Sequence, residues 1–281
     1  MAGVSTVEFD YCRELALLPG SVFEFTSRFL TTEKCEPLLA LYALRQAIGT
    51  IPDTRADDSV KWAKLKWWSE ELVADPGAAS RHPVLRALWQ SGARARLENP
   101  LLLRLIGDAL SQIDIVADSD ESVMFERHAE LGATEIQLEL ALDDVEIDPQ
   151  SLNFLGAATS SFHFISSFSA NQASKTAQLP LSVLAKHDVT ASQLEQKTHQ
   201  AELVKIIRQL TENTLTWYSK GMSNLNIGPE SSVCSHLQLR WAMEKRRLDV
   251  IRQDTHRFLA TGKRYGPADA LFAWRFLRKM R

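Results

Sequence analysis

Apolar residues recur at helical spacing along almost the whole chain, and this narrows the possible folds more than any other feature. In "EPLLALYALRQAI" they fall at i, i+3 and i+4, and "SVKWAKLKWWSEELV" repeats the pattern with Trp62, Leu65, Trp68 and Leu72. That spacing lays an apolar stripe along one side of a helix. "SVMFERHAELGATEIQLELAL", "PQSLNFLGAATSSFHFISSF", "AELVKIIRQLTENTLTWYSKGM" and "CSHLQLRWAMEKRRLDVIRQ" continue the series. No segment alternates apolar and polar residues as a half-buried strand would. Proline and glycine gather between the periodic segments, in "PGS", "DPGAAS", "NIGPESS" and "GKRYGP". The reading is all-α, with about eight or more helices. Pro83 in "HPVLRALWQSG" suits a first helical turn. In "NPLLLRLIGDALSQI", Asn99 is expected as the N-cap and Pro100 in the first turn.

With 281 residues the chain has room for one large domain or two small ones. It shows no low-complexity linker and no internal repeat, so one domain over 1–281 is expected, with 1–10 left open to disorder. Hydrophobic residues at 45% and charged residues at 24% suit a globular chain that buries a sizeable core. A formal net charge of −3 gives no general attraction to nucleic acid, so no such partner is expected. Cys12, Cys35 and Cys234 are far apart with no CxxC pair. Zinc and disulfide frameworks are therefore not expected, and a reducing compartment fits. The start "MAGVSTVEFDYCREL" lacks the basic and apolar regions of a secretory signal and is not Arg-rich like a transit peptide. No apolar run approaches the roughly 18 residues of a membrane span. A cytoplasmic protein is the expectation.

Two stretches carry more than periodicity. "YCRELALLPGSVFEFTSRFLTTEKCEPLLALYALRQAIGTIPD" (11–53) resembles the squalene/phytoene synthase family, whose pattern ends in "alYAfcRxxDDxxD", without a gap. "GAATSSFHFISSFSANQASKTAQLP" (156–180) resembles the same family's "GxAxQxxNxxRDxxEDxxxxxxYLP", again without a gap. "LSVLAKHDVTASQL" and "RYGPADALFAWRFLRKM" are similar to the segments that follow. The resemblance implies a single-domain, terpenoid-synthase-like helical bundle around a central cavity, with 36–51 and 150–168 facing each other. It also implies ligand-binding, cavity-facing roles for Phe23, Tyr42, Arg45, Gly49, Asp53, Ser160, His163, Ser167 and Asn171.

At those positions the family's chemistry is missing. Head-to-head prenyl condensation expels diphosphate, which Mg²⁺ clamps through carboxylates on two facing helices. The two leading Asp positions of the first set fall on Gly49 and Thr50, leaving Asp53. The family Arg falls on Gln46, with Arg45 next to it. In the second set the acids fall on Ser167, Ala170 and Asn171, the preceding Arg on Ser166, the Asn on His163 and the Gln on Ser160. In the Ser/Phe element Pro19 to Phe23, the His is lost and the Phe kept. Losing nearly every charged ligand removes both the metal and the stabilisation of developing charge. The resemblance therefore implies no cofactor, no metal and no catalytic residues.

The pattern is similar to one branch of the family, the phytoene-synthase-like assembly factor of mitochondrial respiratory complex I. That branch also lacks the acids but keeps features seen here as "KLKWWSEEL", His82-Pro83 and Leu179-Pro180. The implied role is a non-catalytic assembly or binding factor near the membrane, with a protein partner such as a respiratory complex subunit. Its place would be cytoplasmic and peripheral to the inner membrane, or the mitochondrial matrix for a processed form. The alternatives are an active isoprenoid-diphosphate transferase with an altered metal site, or an isoprenoid or lipid carrier.

Other features have plain readings. Asp53 and Asp57 in "DTRADD" have clamp spacing, but Pro52 and the polar composition mark a solvated loop. "LDDVEIDP" ends one helix and caps the next. His163 reads first as a buried histidine bonded to a neighbour, and second as a ligand contact. Gly156, Ala157, Ala158, Ser160 and Ser161 allow close helix approach or leave room for a prenyl chain. Trp62, Trp67 and Trp68 fall on two faces of one helix, one of which is core. The basic end, 271–281, with Trp274 and Phe276 as apolar anchors, has the make-up of a segment that rests on an anionic bilayer.

Overall fold

The computed structural model describes residues 7–74, 80–113, 117–196, 199–223, 225, 232–262 and 265–280, with the helical backbone alone at 169–174, 232 and 280. Among the described residues the regular structure is entirely helical. In chain order the helices are α1 (Val7–Ala16), α2 (Val22–Thr26), α3 (Thr32–Gly49), α4 (Asp58–Val73), α5 (Pro83–Gln90), α6 (Asn99–Ser111) and α7 (Glu121–Leu140). There follow α8 (Pro149–Thr176), α9 (Leu181–Lys186), α10 (Ala191–Glu195), α11 (Gln200–Ser223), α12 (Ser232–Gln253), α13 (Thr255–Thr261) and α14 (Pro267–Met280). Residues 7–10, left open to disorder above, are helical, because Phe9 packs into the core. None of the described helices is long and apolar enough to cross a membrane.

Local chemistry sets several of the helix starts. Asp120 accepts from the Ser122 and Val123 backbone N–H groups at 2.9 and 3.1 Å, and Asp148 accepts from that of Ser151 at 2.8 Å. Such caps satisfy donors that a first turn leaves free. His82 does the same for α5, its Nδ1 accepting from Val84 N at 3.2 Å, with Pro83 in the first turn. Asn99 differs from expectation. It is the first residue of α6 and not its cap, because its Oδ1 is taken by the Arg94 guanidinium. After α3, Thr50 Oγ1 donates back to Gln46 O at 2.8 Å, Pro52 follows, and 51–57 form turns before α4 begins. The loop reading of "DTRADD" therefore matches the structure.

The core is organised by one close crossing. A Cβ on Gly132 of α7 would lie 2.0 Å from Gly156 O of α8, and one on Gly156 would lie 2.6 Å from Ala129 O. The two backbones touch there, and only glycine fits. Close packing at Gly156 is thus realised. Helix α12 runs through the interior, with Cys234, Leu237, Trp241, Met243 and Leu248 all buried. On α4, Trp68 is buried while Trp62 and Trp67 are 49% and 39% exposed, so the helix has one core face. On α14, Ala273 is buried and Phe272, Phe276 and Leu277 pack against the core. Phe276 is therefore not an outward anchor; the exposed apolar residues there are Leu271 and Trp274.

Candidate functional site

Four helices turn polar stripes toward a shared space of about 540 Å³. From α3 come Tyr42, Arg45, Gln46 and Gly49, at the spacing of one helix face. His128 and Glu135 come from α7, Ser160, His163 and Ser167 from α8, and Arg240, Glu244 and Arg247 from α12. Phe23 of α2 closes one side and stacks on Tyr42 at 3.7 Å between ring centroids. The cavity size is within the range of small-molecule sites. All the described residues that the resemblance nominated line it: Phe23, Tyr42, Arg45, Gly49, Asp53, Ser160, His163 and Ser167. The side chain of Asn171 lies outside the described residues. Helices α3 and α8 thus face each other across this space.

Beneath the wall is a buried ion network. Glu139 Oε1 accepts from Tyr42 Oη at 3.0 Å, from Arg45 Nη1 at 3.0 Å and from Arg240 Nη1 at 2.8 Å. Arg240 also donates to Tyr42 Oη at 3.0 Å, and Arg45 is closely paired with Glu135. His236 Nδ1 stands 3.6 Å from Glu139 Oε2, and its Nε2 is 3.0 Å from Thr26 Oγ1. Burial acts to raise the Glu139 carboxyl, but Arg240, then His236 and Arg45, outweigh it and hold it below the ordinary range. Glu135 behaves alike, with Arg45 foremost against burial. Glu244 goes the other way: burial outweighs Arg240, and its carboxyl is raised, with Tyr218 Oη bonded to it. Charges this deep persist only when partnered.

Motif spacing alone singles out none of Glu135, Glu139, His236, Arg240, Glu244 or Arg247. Nor does it single out His128, whose Nδ1 lies 2.7 Å from Ser160 Oγ, or Asp108, whose carboxyl burial pushes up to about 6. His163 departs from its first reading. Its side chain is 47% exposed, with Nε2 3.6 Å from Glu135, so it is a cavity-wall residue and not a buried one.

The Mg²⁺ implied by such a fold does not fit the groups present. Gly49 has no side chain, and Thr50 and Ser167 turn their hydroxyls back to Gln46 O and Phe164 O of their own helices. Asp53 stands 3.8 Å from Lys175. Mg²⁺ favours carboxylate oxygens, and here the acid retained at the first motif faces an ammonium group. Among the described residues no group of three or more His, Cys, Asp or Glu is placed to hold a metal ion.

The squalene/phytoene synthase family model matches residues 19–124, a span that holds the first motif helix and not the second. No curated protein matches the chain. Among solved structures, a dehydrosqualene synthase in complex with ligand is similar, with a TM-score of 0.73 and 15% identity. That match covers 97% of this chain and 95% of the other. The squalene synthase HpnC from Alicyclobacillus acidocaldarius gives a TM-score of 0.67 at 17% identity, over 88% and 94%. At such identities the likeness is one of fold: a squalene/phytoene synthase-like, terpenoid-synthase-like helical domain.

Proposed function

We propose that this chain is a non-catalytic protein on a squalene/phytoene synthase-like fold, acting as an assembly or binding factor beside a membrane, of the respiratory complex I assembly type. One observation carries the reading: the positions that would clamp a diphosphate through Mg²⁺ hold Gly49, Thr50, Ser167 and an Asp53 that faces Lys175. Without the clamp the leaving group keeps its charge, and the largest contribution to catalysis is gone. The exposed side of α14 supports a place at the membrane. Leu271 and Trp274 are 48% and 50% exposed, and Arg275, Arg278 and Lys279 stand beside them. Apolar anchors among basic groups suit an anionic surface on the cytoplasmic or matrix side. Incubation with farnesyl or geranylgeranyl diphosphate and Mg²⁺ tests the reading. Release of pyrophosphate above the protein-free rate sinks it, and no release supports it. A pull-down from the native membrane would identify the partner, and a respiratory complex subunit is expected.

A second reading, a lipid carrier, is favoured by the cavity itself. Losing the clamp has not closed the space between α3, α8 and α12.

A further inference from the structure

Arg240 is the deepest cation of the cavity wall, its side chain 2% exposed, and it is only half used. Its Nη1 is engaged with Glu139 and Tyr42, while Nε and Nη2 are buried with no hydrogen-bond partner. Nε is 3.9 Å from Glu244 Oε1, beyond hydrogen-bond reach, and that oxygen has no partner either. Seven residues along the same face of α12, Arg247 donates from Nη1 to Gly20 O at 3.2 Å and leaves Nε without a partner. Unpartnered buried donors are costly, and two under-used guanidinium groups in one cavity wall favour a guest that brings an acceptor to it.

The charges of the wall limit what that guest is. Five Lys and Arg residues line the cavity. Arg45 and Arg240 are answered together by Glu135 and Glu139, Arg127 by Asp118 at 2.7 Å, and Lys175 by Asp53. Among the described residues, Arg247 alone of the five has no carboxylate within 4.0 Å. Of the wall's other acids, Glu244 is buried with its carboxyl raised, which favours its neutral form, and Asp108 is raised to about 6. No more than one positive unit is left uncommitted, too little for a diphosphate without a metal. The rest of the wall includes Leu105, Ala109, Leu131 and Phe164, which suit an aliphatic chain.

We infer that the cavity is a metal-independent site for a long-chain amphiphile with a singly charged acid head group, held at Arg247. This deepens the carrier reading above and rests on it. Two sources supply the head-group chemistry, a long-chain carboxylic acid and a phosphate diester that carries a long chain, whereas a phosphate monoester is close to doubly charged at pH 7.

Calorimetry on the full chain in EDTA tests this, with palmitic acid, its methyl ester, dodecyl methyl phosphate and farnesyl diphosphate as probes. The acid should bind about tenfold more tightly than its ester, the effect of one charge-assisted contact. Dodecyl methyl phosphate binding more tightly than palmitic acid would assign the phosphate source, and the reverse the carboxylic one. Arg247→Gln should lower acid affinity about tenfold and leave ester affinity unchanged. Equal binding of acid and ester by the unaltered protein overturns the inference, whether or not the variant folds. So does unchanged acid affinity in a folded Arg247→Gln, or tighter binding of farnesyl diphosphate than of palmitic acid. Pyrophosphate release would instead overturn the non-catalytic reading, so the two failures are distinct.

Discussion

Lys175 Nζ lies 3.8 Å from Asp53 Oδ1, so the acid retained at the first motif is answered by a cation from the second motif's helix. Mg²⁺ should therefore bind no better than to an ordinary acidic surface. Titration calorimetry should give no stoichiometric site; one of micromolar affinity that Asp53→Ala abolishes would revive the enzyme reading. The pair itself adds little to folding, since Asp53 is 69% exposed. Lys175→Ala should cost at most about 1 kcal/mol in urea unfolding.

Glu139 is the opposite case. Its side chain is wholly buried and serves Tyr42, Arg45 and Arg240 at once. Glu139→Ala leaves two guanidinium groups without their shared acceptor and should cost about 3–5 kcal/mol. Denaturant midpoints measure this, and a loss below about 1 kcal/mol would mean that water replaces the carboxylate.

The glycines separate by position. Gly156→Ala drives a methyl group into the α7 backbone and should cost about 3 kcal/mol or prevent folding. A Cβ at Gly49 meets nothing within 4 Å, so Gly49→Ala should be neutral or stabilising by up to about 1 kcal/mol. Equal melting temperatures for the two variants would contradict the crossing.

Acid stability should bear the mark of His128. Burial, then Arg127, pulls its pKa down to about 3 from 6.5. Below pH 6.5 the unfolded chain takes up a proton that the folded chain refuses, so stability falls as pH drops toward 3. Between pH 7 and 5 the loss is about 2 kcal/mol. Asp108, raised to about 6, contributes with the opposite sign and returns about 1 kcal/mol over the same interval. Glu139 is depressed, so its contribution is complete above pH 4.5 and is lost as pH falls through its folded value. His128→Gln should thus gain on the unaltered protein as pH goes from 7 to 5. Parallel melting curves for the two across that interval would refute the assignment.

Liposome binding should weaken with salt and with Trp274→Ser or Arg278→Ser, each basic group near an anionic surface contributing about 1 kcal/mol. These substitutions test the surface more cleanly than deletion of α14, because Ala273 and Phe276 are part of the packing. Arg281 lies outside the described residues. Binding that ignores both salt and Trp274→Ser would remove α14 from the membrane-side proposal.

What could be read from the sequence was what short-range spacing records. Tyr42, Gly49, Ser160 and Ser167 are legible because their two stretches align without a gap, Tyr42 and Gly49 lying on one face of α3 and Ser160 and Ser167 on one face of α8. The α12 stripe was missed because "RWAMEKRRLDVIRQ" looks like a solvated basic helix. Its burial depends on Glu139, about a hundred residues away along the chain, and no local pattern states that pairing. A local signal did exist. Arg240 and Glu244 are opposite charges one turn apart with Trp241, Met243 and Leu248 around them, and Glu135 and Glu139 repeat that spacing in the apolar "TEIQLELAL". Charges set among apolar residues at one-turn spacing call for partners inside the fold.

The contact of Gly132 with Gly156 has a mechanical consequence. Two helices whose backbones touch have no side-chain layer to shear, so α7 and α8 behave as one stiff plate behind the cavity. Breathing is left to the opposite side, where α3 gives way to the turns at 51–57. If the cavity takes the proposed guest, its rate of entry and exit should follow that short connection. Amide exchange should be fastest there and slowest along the glycine crossing.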